Sequence, residues 1–125
     1  MAAKPCLAAL AALALAGAPS AQAHHSRAMF DTAKTVELTG EVSRFQWNNP
    51  HCYIQLRVTA AGGQQREYSI EMGAPMHLQG RGWTPRTLKA GDQVRVTIYP
   101  LRNGDPGGEM SSITTMDGRQ LGRTR

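Results

Sequence analysis

The sequence predicts an all-β domain with one short helix, and three observations predict it. In several segments apolar residues occupy alternate positions, which is typical of strands with one buried face. Clusters of Gly, Asn, Asp and Pro separate these segments, as turn residues do. One segment, residues 75–80 (PMHLQG), instead places a proline where a helix begins and a glycine where it ends.

The first predicted strand is long and bent. Residues 36–42 carry an apolar side chain or a glycine at every even position, so these positions face one side. Phe45 and Trp47 fall on odd positions, which predicts a bulge or sharp bend near residues 43–44. Gly40 would allow such a strand to coil tightly.

The second strand follows residues 48–50 (NNP), which interrupt the sheet. The side chains predicted to face inward are Cys52, Ile54, Leu56 and Val58. Those predicted to face the opposite side are His51, Tyr53, Gln55 and Arg57. A hairpin turn at residues 61–64 leads to a third strand, whose aligned positions are Tyr68, Ile70 and Met72.

Two further strands follow the helix. The first has Val94, Val96 and Ile98 inward, and a glycine-rich hairpin at residues 103–108 leads to the last strand, around residues 110–116. Three strands, a short helix and two strands are the order of a small five-stranded antiparallel barrel of the oligonucleotide/oligosaccharide-binding (OB) type. Another small β-barrel or a sandwich is the alternative, because strand pairing cannot be read from one sequence.

Residues 1–23 are predicted to be a cleavable secretory signal. Lys4 supplies the positive start, residues 7–15 an apolar Ala/Leu run, and Ala21-Gln22-Ala23 the small residues that precede cleavage. The run is shorter than the roughly 20 residues that span a bilayer, so we expect no membrane-spanning anchor. The mature chain would then comprise an irregular N-terminal arm, residues 24–34, and a single β-barrel-like domain, residues 35–125.

Composition limits the function classes. The net charge is +5 at pH 7, but an exported protein rarely meets nucleic acid, so we expect no nucleic-acid partner. Acidic glycans or another envelope component are more plausible partners.

The sequence lacks the catalytic motifs G-x-S-x-G and H-E-x-x-H and a phosphate-binding glycine loop. We therefore predict a protein without catalytic activity. Cys52 is the one cysteine after the signal and has no internal disulfide partner.

The sharpest functional hypothesis concerns His24 and His25. After cleavage at Ala23, His24 would offer a free α-amine and an imidazole, and His25 a second imidazole. Nitrogen ligands in a tetragonal arrangement suit Cu(II). His51 points away from the predicted core and would complete the metal site as a third residue. Copper is thus the predicted cofactor, and its handling or sensing the predicted role.

Two other groups of residues are candidate binding sites. Met72, Met76 and His77 lie close in sequence and offer soft ligands for Cu(I), but methionines more often fill gaps in a core, and that interpretation is preferred. As the alternative to metal binding, an aromatic and arginine face would recognise a glycan, an envelope component or a partner protein. Its residues are Trp47, Tyr53, Arg57 and Trp83.

Several segments together resemble a known family. They are the His-His-Ser at 24–26, Met29-Phe30-Asp31, Gly40-Glu41-Val42, the run FQWNNPH at 45–51, Gly82-Trp83, the LKAGD at 88–92 and Asp117-Gly118-Arg119. They are similar to small exported proteins of Gram-negative bacteria known only as a domain of unknown function. The resemblance covers nearly all of the mature chain and implies a periplasmic location and one β-rich domain.

The resemblance implies no activity, substrate or catalytic residue. The family often has Ser-Pro where this chain has Ala74-Pro75, and often Trp where it has Tyr68. Neither departure touches the candidate ligands. His24, His25 and His51 therefore match the family pattern at positions whose role is unproven.

Overall fold

The computed structural model describes residues 27–122. After a 3-10 helix at Arg27–Met29, the elements are five strands and one helix. They are β1 (Val36–Gln46), β2 (Tyr53–Thr59), β3 (Gln65–Glu71), α1 (Pro75–Gln79), β4 (Gln93–Pro100) and β5 (Gly107–Thr115). The strands close into one barrel in the order β1-β2-β3-β5-β4. The predicted all-β class, the single short helix and the five-stranded barrel are confirmed.

One strand pair differs from the predicted antiparallel arrangement. The pairs β1–β2, β2–β3, β1–β4 and β4–β5 are antiparallel, whereas β3 and β5 run parallel. An odd number of strands cannot alternate in direction around a closed ring, so at least one neighbouring pair must be parallel. The segment that contains α1 and β4 supplies the long connection that a parallel pair needs.

The predicted bend in β1 is present as a break in register. The pairing of β1 with β2 shifts between Val42 and Arg44, so Val42 is fully buried while Phe45 packs against the core from beyond the bulge. Gly40 lies against the backbone of Arg57, where a Cβ would collide with the carbonyl oxygen of that residue. The glycine thus permits the close approach of β1 and β2 at this bend.

The core fills the barrel with the inward side chains of all five strands. The predicted inward positions of β2 and β4 are buried, apart from Val58 at the end of β2, which is half-buried and packs against the core. Cys52 is completely buried, and Trp83 is only 2% exposed. Leu78 of α1 and Leu88 close the core on the side of the helix.

The described part of the predicted N-terminal arm packs on the barrel. Phe30 forms a β-bridge with Leu101 and is 3% exposed. The amide of Asp31 donates a hydrogen bond to the carbonyl of Pro100 at 2.8 Å. The amide of Arg102 donates to the carbonyl of Met29 at 3.0 Å. Residues 27–31 are therefore fastened to the β4–β5 hairpin.

The predicted signal, residues 1–23, and the candidate ligands His24 and His25 lie outside the described residues. Within residues 27–122, neither helix has the length and apolar character needed to cross a membrane.

Candidate functional site

A cleft of about 530 Å³ opens between the 3-10 helix, α1 and the adjoining ends of β3 and β5. Its floor is apolar and its rim is charged. The floor includes Phe30, Met72, Leu78 and Trp83. The rim includes Arg27, His51, Glu71, His77, Arg81 and Glu109. This volume lies in the range of small-ligand sites, and an apolar floor with a few converging polar groups is their usual lining.

Three polar side chains lie together where β2 begins and β3 ends, and two of them, His51 and Glu71, line the cleft. Nδ1 of His51 lies 2.6 Å from Oε1 of Glu71. The hydroxyl of Tyr53 donates a hydrogen bond to Oε2 of Glu71 at 3.1 Å. Both carboxylate oxygens of Glu71 are thus engaged, one by an imidazole and one by a phenol.

The strand register explains why these three residues meet. Tyr53 is paired directly with Glu71 across β2 and β3, and His51 is two residues away from Tyr53 on the same face, diagonal to Glu71. The amide of Cys52 donates to the carbonyl of Gly73 at 3.0 Å, and the amide of Met72 donates to the carbonyl of Cys52 at 2.8 Å. These two bonds extend the pairing to the residue before β2, so they hold the backbone directly after His51.

Burial and the neighbouring carboxylate shift the pKa of Tyr53. Burial of the phenol raises its pKa above the usual value, and the charge of Glu71 and the hydrogen bond to it raise it further. The phenol therefore stays protonated and remains a donor to Glu71 well above neutral pH.

The pKa of the Cys52 thiol is raised chiefly by burial, opposed by a hydrogen bond to the carbonyl of Asn48. Cys52 is thus a core residue whose sulfur is held as a thiol.

The N-terminal end of the described chain also reaches the cleft. Arg27 contacts Glu109 of β5 through two nitrogens, at 2.9 Å from Nη2 to Oε1 and 3.2 Å from Nε to Oε2. Such a two-pronged contact is geometrically specific.

The remaining candidate ligands are spread over the same cleft. His77 lies on α1 with an exposed side chain, and the cleft is also lined by Met72, directly after β3, and by Met110 of β5. Met76, by contrast, is 74% exposed and is not part of the lining. Among residues 27–122, no three His, Cys, Asp or Glu side chains are grouped as a metal site.

The residues of the predicted aromatic and arginine face do not form one exposed surface. Trp83 lies in the core and contributes only to the floor of the cleft. Trp47 is half-buried against Phe45, with ring centroids 5.9 Å apart. Tyr53 is engaged by Glu71, and Arg57 forms a 3.5 Å ion pair with Glu41. Carboxylates thus lie beside Tyr53 and Arg57, two of the outward side chains of β2.

Three residues of the site were not singled out from the sequence. Glu71, Arg27 and Glu109 each belong to a contact between distant parts of the chain. For Glu71 a signal was available, because a hairpin turn centred on Gly62 pairs residues at equal distances from it. Tyr53 and Glu71 are each nine residues away. For Arg27 and Glu109 no such local signal exists, since their contact depends on how the barrel closes.

Comparison with known proteins supports the fold and the family but assigns no activity. The model of a family of unknown function (DUF6152) matches residues 11–110. No curated protein matches the sequence. Among solved structures, the mitochondrial single-stranded DNA binding protein Rim1 of S. cerevisiae is similar, with a TM-score of 0.50 and 12% identity. The match covers 69% of this chain and 95% of Rim1. At this identity the likeness concerns the fold alone.

Proposed function

This chain belongs to the family of unknown function DUF6152, and from its own residues we propose that it is an exported protein that binds copper. His24, as the first residue of the mature chain, supplies its α-amine and its imidazole. His25 supplies a second imidazole, and His51 completes the set. The protein handles or senses the metal and does not catalyse a reaction.

The contact between His51 and Glu71 carries this proposal. Histidines that bind metals commonly donate their other ring N–H to a carboxylate, which fixes the tautomer and makes the ligand nitrogen more basic. Here Nδ1 lies 2.6 Å from Oε1 of Glu71. When Nδ1 carries the proton, the lone pair of the ring is on Nε2. Tyr53 holds the same carboxylate from its other side, so the carboxylate is fixed close to the imidazole of His51.

Chain connectivity supports the participation of the N-terminal residues. Consecutive Cα atoms are about 3.8 Å apart, so the Cα of His25 is within about 7.6 Å of that of Arg27. Arg27 lines the same cleft as His51 and is bound to Glu109. His25 and His24 are thus only two and three residues along the chain from a residue that lines this cleft.

The predicted donor set is selective in metal and dependent on pH. Amine and imidazole nitrogens suit Cu(II), which such ligands bind more tightly than other divalent first-row ions. The reference pKa of an α-amine is near 8 and that of an imidazole about 6.5, so protons compete with the metal in acid. Affinity for Cu(II) should therefore fall as the pH is lowered below neutrality.

A pair of histidine variants tests the proposed ligand set. Cu(II) affinity is measured by competition with a chelator of known strength, using protein that begins at His24. His51→Ala is expected to lower the affinity by at least tenfold, since loss of an outer-shell partner alone costs about 10- to 100-fold. His77→Ala, which removes an exposed imidazole from the same cleft, is expected to leave it unchanged. Equal affinities for all three proteins would overturn the assignment of His51.

The proposed location is tested by the mature N-terminus itself. The full chain is expressed in a Gram-negative host, and the periplasmic fraction is analysed by intact mass and N-terminal sequencing. A chain that begins at His24 is expected. A chain that retains residues 1–23, or one cut at another position, would contradict the proposed chelate because His24 would then have no free α-amine.

Metal-free recognition of a glycan, envelope component or partner protein is the second candidate. The size of the cleft and its apolar floor favour it. Its predicted residues Trp47, Tyr53, Arg57 and Trp83 are not gathered on one exposed face, so the cleft would be the binding surface. Ionic strength separates the two candidates, because binding of an acidic ligand weakens steeply with salt whereas chelation responds to pH.

A further inference from the structure

The cleft holds a second group of donor atoms that the proposed Cu(II) site does not use. They belong to Met72, His77 and Met110, all of which line it. Two of the three are thioethers and one is an imidazole. Thioether sulfur is a soft ligand that favours Cu(I) over Cu(II).

The parallel pairing of β3 and β5 places the two methionines side by side. Glu71 and Glu109 are paired across these strands, and Met72 and Met110 are each the next residue along. Neighbouring strands lie about 4.8 Å apart, and residues one step beyond a pair share a face. Both side chains line the same cleft. The two thioethers therefore start from adjacent positions and extend in the same direction.

His77 approaches this pair from the helix. A Cβ added to Gly73 would lie 3.9 Å from the Cβ of His77, and Gly73 is the residue directly after Met72. The side chain of His77 is exposed on the rim of the cleft. His77 is thus rooted beside the residue that follows Met72, in the cleft that Met110 also lines.

We propose that Met72, His77 and Met110 form a Cu(I) site, with two sulfur ligands and one nitrogen ligand. The inference deepens the proposed copper function and rests on it for its biological meaning. Its donor atoms are nevertheless separate from those of the Cu(II) site. The protein would hold copper in either oxidation state, on two walls of one cleft.

The competing interpretation is that these methionines only pack. Met72 is 4% exposed, and both Met72 and Met110 contact the core, where methionine commonly fills irregular gaps. Replacement by leucine preserves volume and costs less than about 1.5 kcal/mol in a core. Met72→Leu and Met110→Leu therefore remove the sulfur atom while they keep the packing, so that the two interpretations predict different results.

The test is an anaerobic Cu(I) titration of the mature protein against a chromophoric Cu(I) chelator. Met72→Leu, Met110→Leu and His77→Ala are each expected to weaken Cu(I) binding by at least about tenfold, since each removes one ligand. Met76→Leu is the matched control, since Met76 is adjacent in sequence but exposed and outside the cleft lining. It is expected to bind Cu(I) as the unaltered protein does. Thermal melts of each variant confirm that the fold is retained.

The outcomes separate this inference from the proposed function. X-ray absorption of the Cu(I) form is expected to show sulfur ligands that are lost in the double leucine variant. Cu(II) affinity is expected to be unchanged by either leucine substitution. Unaltered Cu(I) affinity in both Met72→Leu and Met110→Leu would overturn the Cu(I) site and leave the Cu(II) proposal standing. If Cu(II) bound equally well with and without the native N-terminus while Cu(I) binding stayed intact, the Cu(II) proposal would be overturned and the Cu(I) site would stand.

Discussion

Glu71 lies between His51 and Tyr53 and binds both, with its Oε1 2.6 Å from the imidazole Nδ1 and its Oε2 3.1 Å from the phenol oxygen. The three side chains come from one face of two neighbouring antiparallel strands. The carboxylate therefore links an imidazole at the rim of the cleft to the rigid barrel. This relationship makes Glu71 a positioning residue for His51 and yields the first prediction.

Glu71→Gln is expected to lower Cu(II) affinity by about 10- to 100-fold, the usual cost of removing the carboxylate behind a metal-bound histidine. The amide keeps the shape of the side chain but loses the negative charge that lies beside the imidazole of His51. Glu67→Gln is the matched control on the same strand, where Glu67 is exposed and accepts a hydrogen bond from Ser43. Competition titrations of both variants check the prediction, and equal affinities would contradict it.

Phe30→Ala is expected to destabilise the protein by about 3–5 kcal/mol, because a buried aromatic side chain is removed. Phe30 is 3% exposed and bridges to Leu101, although it precedes the first barrel strand. Met29→Ala, at a neighbour that is 42% exposed, should stay within about 0.5 kcal/mol of the unaltered protein. Urea unfolding measures both free energies. A small effect at Phe30 would show that residues 27–31 do not belong to the folded unit.

Gly40→Ala is expected to cost about 1–3 kcal/mol or more, because the new methyl group meets backbone that cannot move aside easily. The added Cβ would collide with the carbonyl oxygen of Arg57 and lie 3.0 Å from its carbonyl carbon. Gly62→Ala provides the comparison, since nothing lies within 4 Å of a Cβ there. Thermal melts of the two variants should differ clearly. If both melt at the same temperature, the close approach of β1 and β2 is not a constraint on the fold.

The Cys52 thiol is expected to react slowly with thiol reagents in the native protein and rapidly once the chain is unfolded. It is fully buried, and burial raises its pKa, so little thiolate is present at neutral pH. A pKa raised in the folded state stabilises the fold below the unfolded pKa, near 8.5. That contribution is then lost as the pH rises through the folded pKa.

Two measurements check this behaviour of Cys52. Colorimetric thiol assays with and without denaturant give the two reaction rates. Unfolding free energies between pH 7 and about 10 should fall more for the unaltered protein than for Cys52→Ala. Rapid labelling of the native protein at neutral pH would show instead that the thiol is accessible.

Much of the barrel was predictable because its strands have local signals. The alternation in β2 and β4 depends only on which side chains face the core. The bend in β1 is visible because the apolar side chains change from even to odd positions between Val42 and Phe45. The parallel pair β3–β5 had no local signal. It follows from closing five strands into a ring, which becomes apparent only when all five strands are considered together.

The candidate site was less predictable, for the same reason. The sequence predicts that His51 faces away from the core because it alternates with the buried Cys52. The structure places His51 at the rim of the cleft. In the sequence, Glu71 is one of several acidic residues along the strands. Only the β2–β3 register shows that it is paired with Tyr53. Met72 and Met110 are 38 positions apart in sequence, and only the parallel pairing of their strands makes them neighbours.

The most direct test of the copper proposal is a Cu(II) titration of two proteins that differ at one end. One begins at His24, and the other carries a single added glycine before it, which moves the α-amine away from the imidazole of His24. We predict one equivalent bound tightly by the first protein and an affinity lower by orders of magnitude in the second. Equal, weak binding by both would contradict the terminal chelate and leave the histidines without a role in metal binding.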